Sequence, residues 1–193
     1  MIRAVVGCFT AIACLGFSSP VSAQDYPDPA QLIASQREAM SSLSFLDGAW
    51  RGSGWTLLPS GERHEFVQTE RVGTLLDGSL RVIEGRGYEA DGDVIFNAFA
   101  IISYDLSQRA YRMRSYAQGY AGDYVFTPTA DGFVWEIPAG AMTMRFTAVI
   151  RDGEWYEIGE RVIPGQEPAR FLEMNLRRLG DTEWPAGSPI GPR

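Results

Sequence analysis

The chain has 193 residues, a formal charge of −7, one His and two Cys, a length compatible with a single domain. Its acidic balance, with no basic run, argues against nucleic acid or an anionic membrane surface as partners. All 17 basic residues are Arg, so no lysine exists for a Schiff base or for lysine catalysis.

Residues 1–23 read as a secretory signal. Arg3 is a short positive region, Ala4 to Phe17 is an apolar run, and Pro20-Val21-Ser22-Ala23 places small residues at the cleavage positions. The run is too short to span a bilayer, so no stable membrane insertion is expected after cleavage, and the address is periplasmic or secreted. A second reading makes Cys14 a lipoprotein anchor, although Ala11-Ile12-Ala13 matches a lipobox poorly. Both cysteines, Cys8 and Cys14, lie in this leader. The remaining chain therefore has no disulfide, no thiolate nucleophile and no cysteine metal site. At that size a hydrophobic core suffices.

Asp28 is placed as an N-cap with Pro29 at the first helical position. Leu32, Ile33, Met40 and Leu43 recur at helical spacing, which predicts one amphipathic helix over 29–41. From Gly48 the period changes to two. Turn signals, among them Asp77-Gly78, Asp91-Gly92, Asp131-Gly132 and Asp152-Gly153, divide the rest into ten segments. Asp-Gly between alternating hydrophobics marks a tight hairpin. The strands are predicted at about 48–58, 62–75, 79–90, 93–104, 110–118, 120–128, 132–137, 141–151, 154–163 and 168–179. No segment between them is long enough for a crossover helix, so neighbours pair antiparallel. Ten twisted strands curl, and closure removes the exposed edges. The predicted fold is all-β: a ten-stranded antiparallel up-and-down barrel preceded by one short N-terminal helix. Such a barrel is wide enough for an interior cavity. The barrel domain is placed at 24–179, with a Pro/Gly-rich tail over 180–193 whose Trp184 packs back on it.

The stretch Gly48-Ala49-Trp50-Arg51-Gly52-Ser53-Gly54, after a helix and before a meander, resembles the calycin superfamily. In detail it is similar to the Gly-x-Trp-x-Gly-x-Gly opening of nitrobindin-like ten-stranded barrels and of uncharacterised secreted bacterial barrels. The resemblance covers about 30–180. It implies that Gly48, Trp50, Gly52, Gly54 and a late Arg, Arg177 or Arg178, form a structural signature. In it Trp50 closes one end and the Arg stacks across the ring. It also implies interior binding of a small molecule. Nitrobindin-like haem proteins use a His on a late strand, which this chain lacks, since its one His is His64 on the second strand. No haem and no metal are therefore expected.

Candidate site residues come from alternation within strands. Arg112, Arg114 and Tyr116 share one face, opposite Tyr111, Met113 and Ser115. Met142, Met144 and Phe146 share a face opposite Thr143 and Arg145. Trp155 and Glu157 oppose Tyr156 and Ile158, and Glu173, Asn175 and Arg177 oppose Leu172, Met174 and Leu176. One reading puts the charged faces in solvent and the apolar faces inside. The lining would then draw on Trp55, Phe66, Phe96, Tyr104, Tyr124, Phe126, Trp135, Met142, Met144 and Phe146, an adaptable wall for a flat or greasy molecule. The other turns some of Arg112, Arg114, Arg145, Glu157 and Glu173 inward around a polar ligand, where paired charges satisfy one another. The fourth strand is apolar on both faces, so its exterior is covered by the helix or by a second copy in a homodimer.

Three functions stay open. The first is a carrier of a small hydrophobic or amphipathic molecule. The second is an isomerase, cyclase or hydratase with Glu157 or Glu173 as a raised-pKa acid. The third is an envelope-associated structural domain with a filled barrel. No catalytic set is marked in the sequence. An inward carboxyl of perturbed pKa beside a cavity favours catalysis.

Overall fold

The computed structural model describes residues 28–185. The signal segment and the end of the tail lie outside the described residues. Helix α1 spans Pro29–Ser41, and the Asp28 carboxylate caps it by accepting from Ala30 N at 3.0 Å. Ten strands follow: β1 Gly48–Leu57, β2 Arg63–Leu75, β3 Leu80–Tyr88, β4 Val94–Asp105, β5 Ala110–Ala117, β6 Tyr120–Pro128, β7 Gly132–Ala139, β8 Met142–Arg151, β9 Glu154–Val162 and β10 Ala169–Gly180. Each pairs antiparallel with its sequence neighbours, and β1 pairs with β10 to close the barrel. Two of the four Asp-Gly turns, Asp77-Gly78 and Asp152-Gly153, hold positive φ at both residues, the latter pair at 55° and 76°. At Asp91-Gly92 only the glycine does, and at Asp131-Gly132 neither does.

One end of the barrel is plugged. Met40, Leu43, Leu46 and Trp50 are fully or almost fully buried there. The amphipathic reading of α1 holds only for its last turn, because Leu32 and Ile33 are exposed and Met40 is the helix's one buried residue. A 3₁₀ turn over Ser44–Leu46 then leads into Gly48. Trp50 donates its indole N–H to Leu46 O at 2.9 Å and meets Trp155 edge-to-face at 5.7 Å. The carbonyls at the end of α1, bonded by Ser42 N and Leu43 N, also accept from inward-facing side chains. Tyr111 Oη donates to Ala39 O at 2.7 Å, and Arg81 donates to Met40 O. Arg81, 3% exposed, also grips the Asp47 carboxylate in a two-pronged bond, at 2.7 Å from Nε and 2.8 Å from Nη2.

The late arginine differs from the role the resemblance implies. Arg177 points outward and pairs with Glu154 at 3.1 Å. Arg178 donates from Nε and Nη2 to Asp47 O, so it latches the turn before β1 by hydrogen bonds and is not stacked on Trp50. Gly52 and Gly54 sit where the expected clearance is needed. A Cβ at Gly52 would collide with Asn175 O, and one at Gly54 would lie 2.8 Å from the Phe66 ring.

The β6–β7 ladder is short. It holds only Phe126–Trp135, Thr127–Val134 and Pro128–Phe133, so the two strands part toward the unplugged end. On the outside of β4, Phe99 is covered from within the chain. Trp184 meets it edge-to-face at 6.3 Å and carries Arg71 on its ring at 4.7 Å.

If Arg81 and Asp47 hold the plug, Asp47→Asn leaves a buried guanidinium without its counter-charge. The expected loss is about 3–5 kcal/mol of unfolding free energy, measured by urea denaturation. An unchanged midpoint would remove the pair from its place in the fold.

Candidate functional site

Above the plug the barrel interior holds a cavity of about 510 Å³. It ends blindly at the helix and opens at the other end, between the hairpin ends of β1–β2 and β3–β4. Leu58 and Phe96, each 37% exposed, stand at this mouth. The register fixes which face lines it. Gly52, Gly54 and Thr56 on β1 lie opposite Leu176, Met174 and Leu172 on β10, and opposite Gln68, Phe66 and His64 on β2. Around the rest of the wall stand Ala98 and Ala100, Met113 and Ser115, Phe126, Trp135 and Phe146. Trp135 and Phe146 stack face to face with ring centroids 4.3 Å apart.

Several predicted site residues take other places, which corrects the inward-charge reading. Arg112, Arg114 and Tyr116 face solvent, because Tyr111, Met113 and Ser115 occupy the inner parity of β5. Arg112 bonds Gln108, and Arg114 pairs with Asp123 and lies over Tyr116. Arg145 pairs with Glu136 on the outer face at 2.7 Å. Glu173 is outside as well, paired with Arg170 at 2.7 Å, since Leu172 and Met174 hold the inner parity of β10. Trp55 lies on the exterior with Arg63 over its ring at 4.5 Å. Tyr104 faces inward at the plugged end, where it meets Tyr111 at 4.8 Å and not the cavity. Met142 and Met144 share the parity of Phe146 but are absent from the cavity wall. Trp135 and Glu157 are part of that wall.

The polar part of the wall is Gln68, Glu70 and Glu157. Glu157, 7% exposed, accepts from Trp155 Nε1 at 3.0 Å. Glu70 accepts from Gln68 Nε2 at 2.6 Å. Its carboxyl occupies space that only a glycine leaves free, because a Cβ at Gly85, its partner on β3, would lie 2.6 Å from Oε1. Burial pushes the Glu70 carboxyl up to about 8; the Gln68 bond opposes this, and the charges of Glu157 and Glu84 add to it. Burial likewise raises Glu157 to about 7, against the indole N–H groups of Trp155 and Trp135. The charge of Glu157 adds to the rise at Glu70, so ionising one carboxyl disfavours ionising the other.

Glu70 and Gln68 were missed because β2 is polar on both faces, so alternation gives no inside. A signal did exist. The turn at Asp77-Gly78 sets Gly85 and Gly87 opposite Glu70 and Gln68, and glycines facing polar residues mark room for their side chains.

No His stands at the inner positions of the last strand, and the one His of the chain, His64, lines the cavity at its mouth. The inner positions of β10 are Leu172, Met174 and Leu176, while His64 Nε2 lies 3.1 Å from Glu89. Among the described residues no cluster of three or more metal-ligating side chains occurs, and no helix is long and apolar enough to cross a membrane.

The fold and cavity define a calycin-like barrel. No protein-family model and no curated protein matches the chain. Among solved structures it is similar to the crystal structure of Rv2717c from M. tuberculosis, at a TM-score of 0.55 and 16% identity. The match covers 72% of this chain and 96% of that one. At that identity the likeness is one of fold.

The carboxyl pair has a consequence for stability. Because its folded pKa values lie above the ordinary 4.5, the folded chain binds more protons than the unfolded chain between that value and about 8. Stability is therefore highest at the acid side of this window and falls as pH rises through it. Between about pH 5 and pH 9 the loss should be on the order of a few kcal/mol. Glu70→Gln should flatten the profile; a wild-type profile already flat would refute the buried pair.

Proposed function

We propose that this chain is an exported barrel that binds one small hydrophobic or amphipathic molecule in its interior, without resident haem or metal. The observation that carries the reading is the blind cavity of about 510 Å³, apolar over most of its wall and open at one end. Its size is that of ligand pockets, and a few convergent polar groups among aromatic walls suit an oriented small molecule. Export rests on the signal pattern of residues 1–23, which places the barrel unit, 24–179, in the periplasm or outside the cell.

A second reading is favoured by one observation. Two carboxyl groups titrating near neutrality share one cavity, the condition for general acid–base chemistry at neutral pH. In that reading Glu157 keeps the role the sequence suggested, and Glu70 joins it in place of Glu173. If the bound molecule is a substrate, its conversion should fall by about 10²-fold or more in Glu70→Gln or Glu157→Gln.

Protein purified from its native host should carry a small molecule visible by native mass spectrometry. The neutral fluorophore N-phenyl-1-naphthylamine should bind and displace it. Ala117→Trp puts an indole into the cavity and should weaken the fluorophore at least about tenfold, as expected when a pocket loses its apolar contact surface. A ligand-free protein that also ignores the fluorophore would end the binding reading.

A further inference from the structure

We propose that the cavity selects amphiphiles with a positively charged, ammonium-type head, which enters first and docks between Glu70 and Glu157 while the apolar body fills the space toward the mouth. The proposal rests on the ligand-binding reading above and names the class of ligand.

Three features of the geometry support it. The first is placement. Glu70 lies opposite Trp50 in the β1–β2 register, so its carboxyl is just above the plug. Glu157 projects from β9 on the other side of the β1–β10 seam, next to Met174. Toward the mouth the wall becomes Phe66, Ile95, Phe96, Phe146 and Leu172. The cavity thus carries its two carboxyls at depth, among Ala100, Met113, Phe126 and Phe133, while Thr56 and His64 are the polar residues at the mouth.

The second is charge. Among the described residues lining the cavity there is no Arg, and the one imidazole, His64, stands at the mouth with Glu89. The arginines near this wall are engaged elsewhere. Arg81 lies below the floor on Asp47, and Arg71 and Arg86 hold Glu84 on the outer face of β3. Arg161 is exposed, against the Phe171 ring at 5.3 Å. Among the described residues no cation neutralises the carboxyl pair from inside the cavity, and an anionic head would meet like charge once the pair ionises.

The third is unfilled bonding capacity. An ionised carboxylate accepts about four hydrogen bonds. Glu70 receives one, from Gln68, and Glu157 receives one from Trp155 with Trp135 close by. Both carboxyls line the cavity, and an ammonium group there brings three donors and a full charge.

Cation binding must displace protons from the pair, so affinity for the ammonium head should rise with pH while the head stays charged. A primary alkylamine stays protonated to about pH 9, as a lysine does. Protonated His64 would repel the same head, and His64→Gln separates its effect from that of the pair.

The experiment is displacement of N-phenyl-1-naphthylamine by dodecylamine, dodecanol and dodecanoic acid, whose apolar bodies match. Near pH 8.5 the amine should bind at least about tenfold more tightly than the alcohol, and the acid more weakly than either. Amine affinity should rise severalfold from about pH 6 to pH 8.5, while that of the alcohol stays level. Glu70→Gln and Glu157→Gln, singly and together, should erase most of the amine preference and leave the alcohol within about twofold. Retained alcohol binding shows that the variant cavity is folded. Equal binding of amine and acid, or an amine preference untouched by both substitutions, overturns the charged-head assignment and leaves the container intact. Failure of the fluorophore and all three amphiphiles to bind the wild-type protein overturns both.

Discussion

The Arg81 guanidinium is the constraint around which one end of the molecule is arranged. It is almost fully buried, and such a charge persists only when every donor has a partner. Its partners come from two other parts of the chain: the Asp47 carboxylate before β1 and the Met40 carbonyl at the end of α1. Satisfying Arg81 therefore docks the helix end and sets the path of the chain into Gly48. That path delivers Trp50 under the barrel, where it meets Trp155. Arg178 adds a clasp on Asp47 O from β10, so the first and last strands close at the same point.

With one end closed in this way, the interior becomes a blind cavity and not a channel. Its polar groups then lie far from bulk water, which is why the carboxyls of Glu70 and Glu157 hold their protons so firmly. Gly85 permits this arrangement by leaving its own side-chain space to Glu70. A small backbone concession on β3 thus places an acid where a methyl group would otherwise stand. Buried acids of this kind cost stability, and they are maintained where a ligand or a proton transfer uses them.

Much of the architecture was readable from local chemistry. The N-cap at Asp28, the Asp-Gly turns and the period-two segments bound the helix and strands to within a few residues. Closure followed from the absence of any crossover segment. The candidate site was less accessible. On β5, β8 and β10 one face is clearly greasier, so the charged face is the exterior, and that places Arg112, Arg114, Arg145 and Glu173 outside. On β9, Glu157 shares its face with Trp155 and Gly159, and of the five charged candidates it alone lines the cavity. On β2 each face mixes polar and apolar residues, and Glu70 could not be distinguished from Glu65 or Arg71 by pattern alone.

The sequence by itself determined a ten-stranded meander behind a short helix, because turn chemistry and side-chain period act within a few residues. It also marked Gly52 and Gly54 as positions of close approach, though the neighbours they make room for are the β10 backbone and the Phe66 ring. Only the tertiary structure decided that Arg178 binds a backbone carbonyl. Alternation already puts Arg177 outside with Glu173 and Asn175, but the contact of Arg178 with Asp47 O depends on the closure of β1 on β10, which the tertiary structure supplies. It alone decided that Glu70 and Glu157, 87 residues apart in the chain, share one cavity. Closure brings β2 and β9 to either side of the β1–β10 seam, and no local pattern encodes that distance.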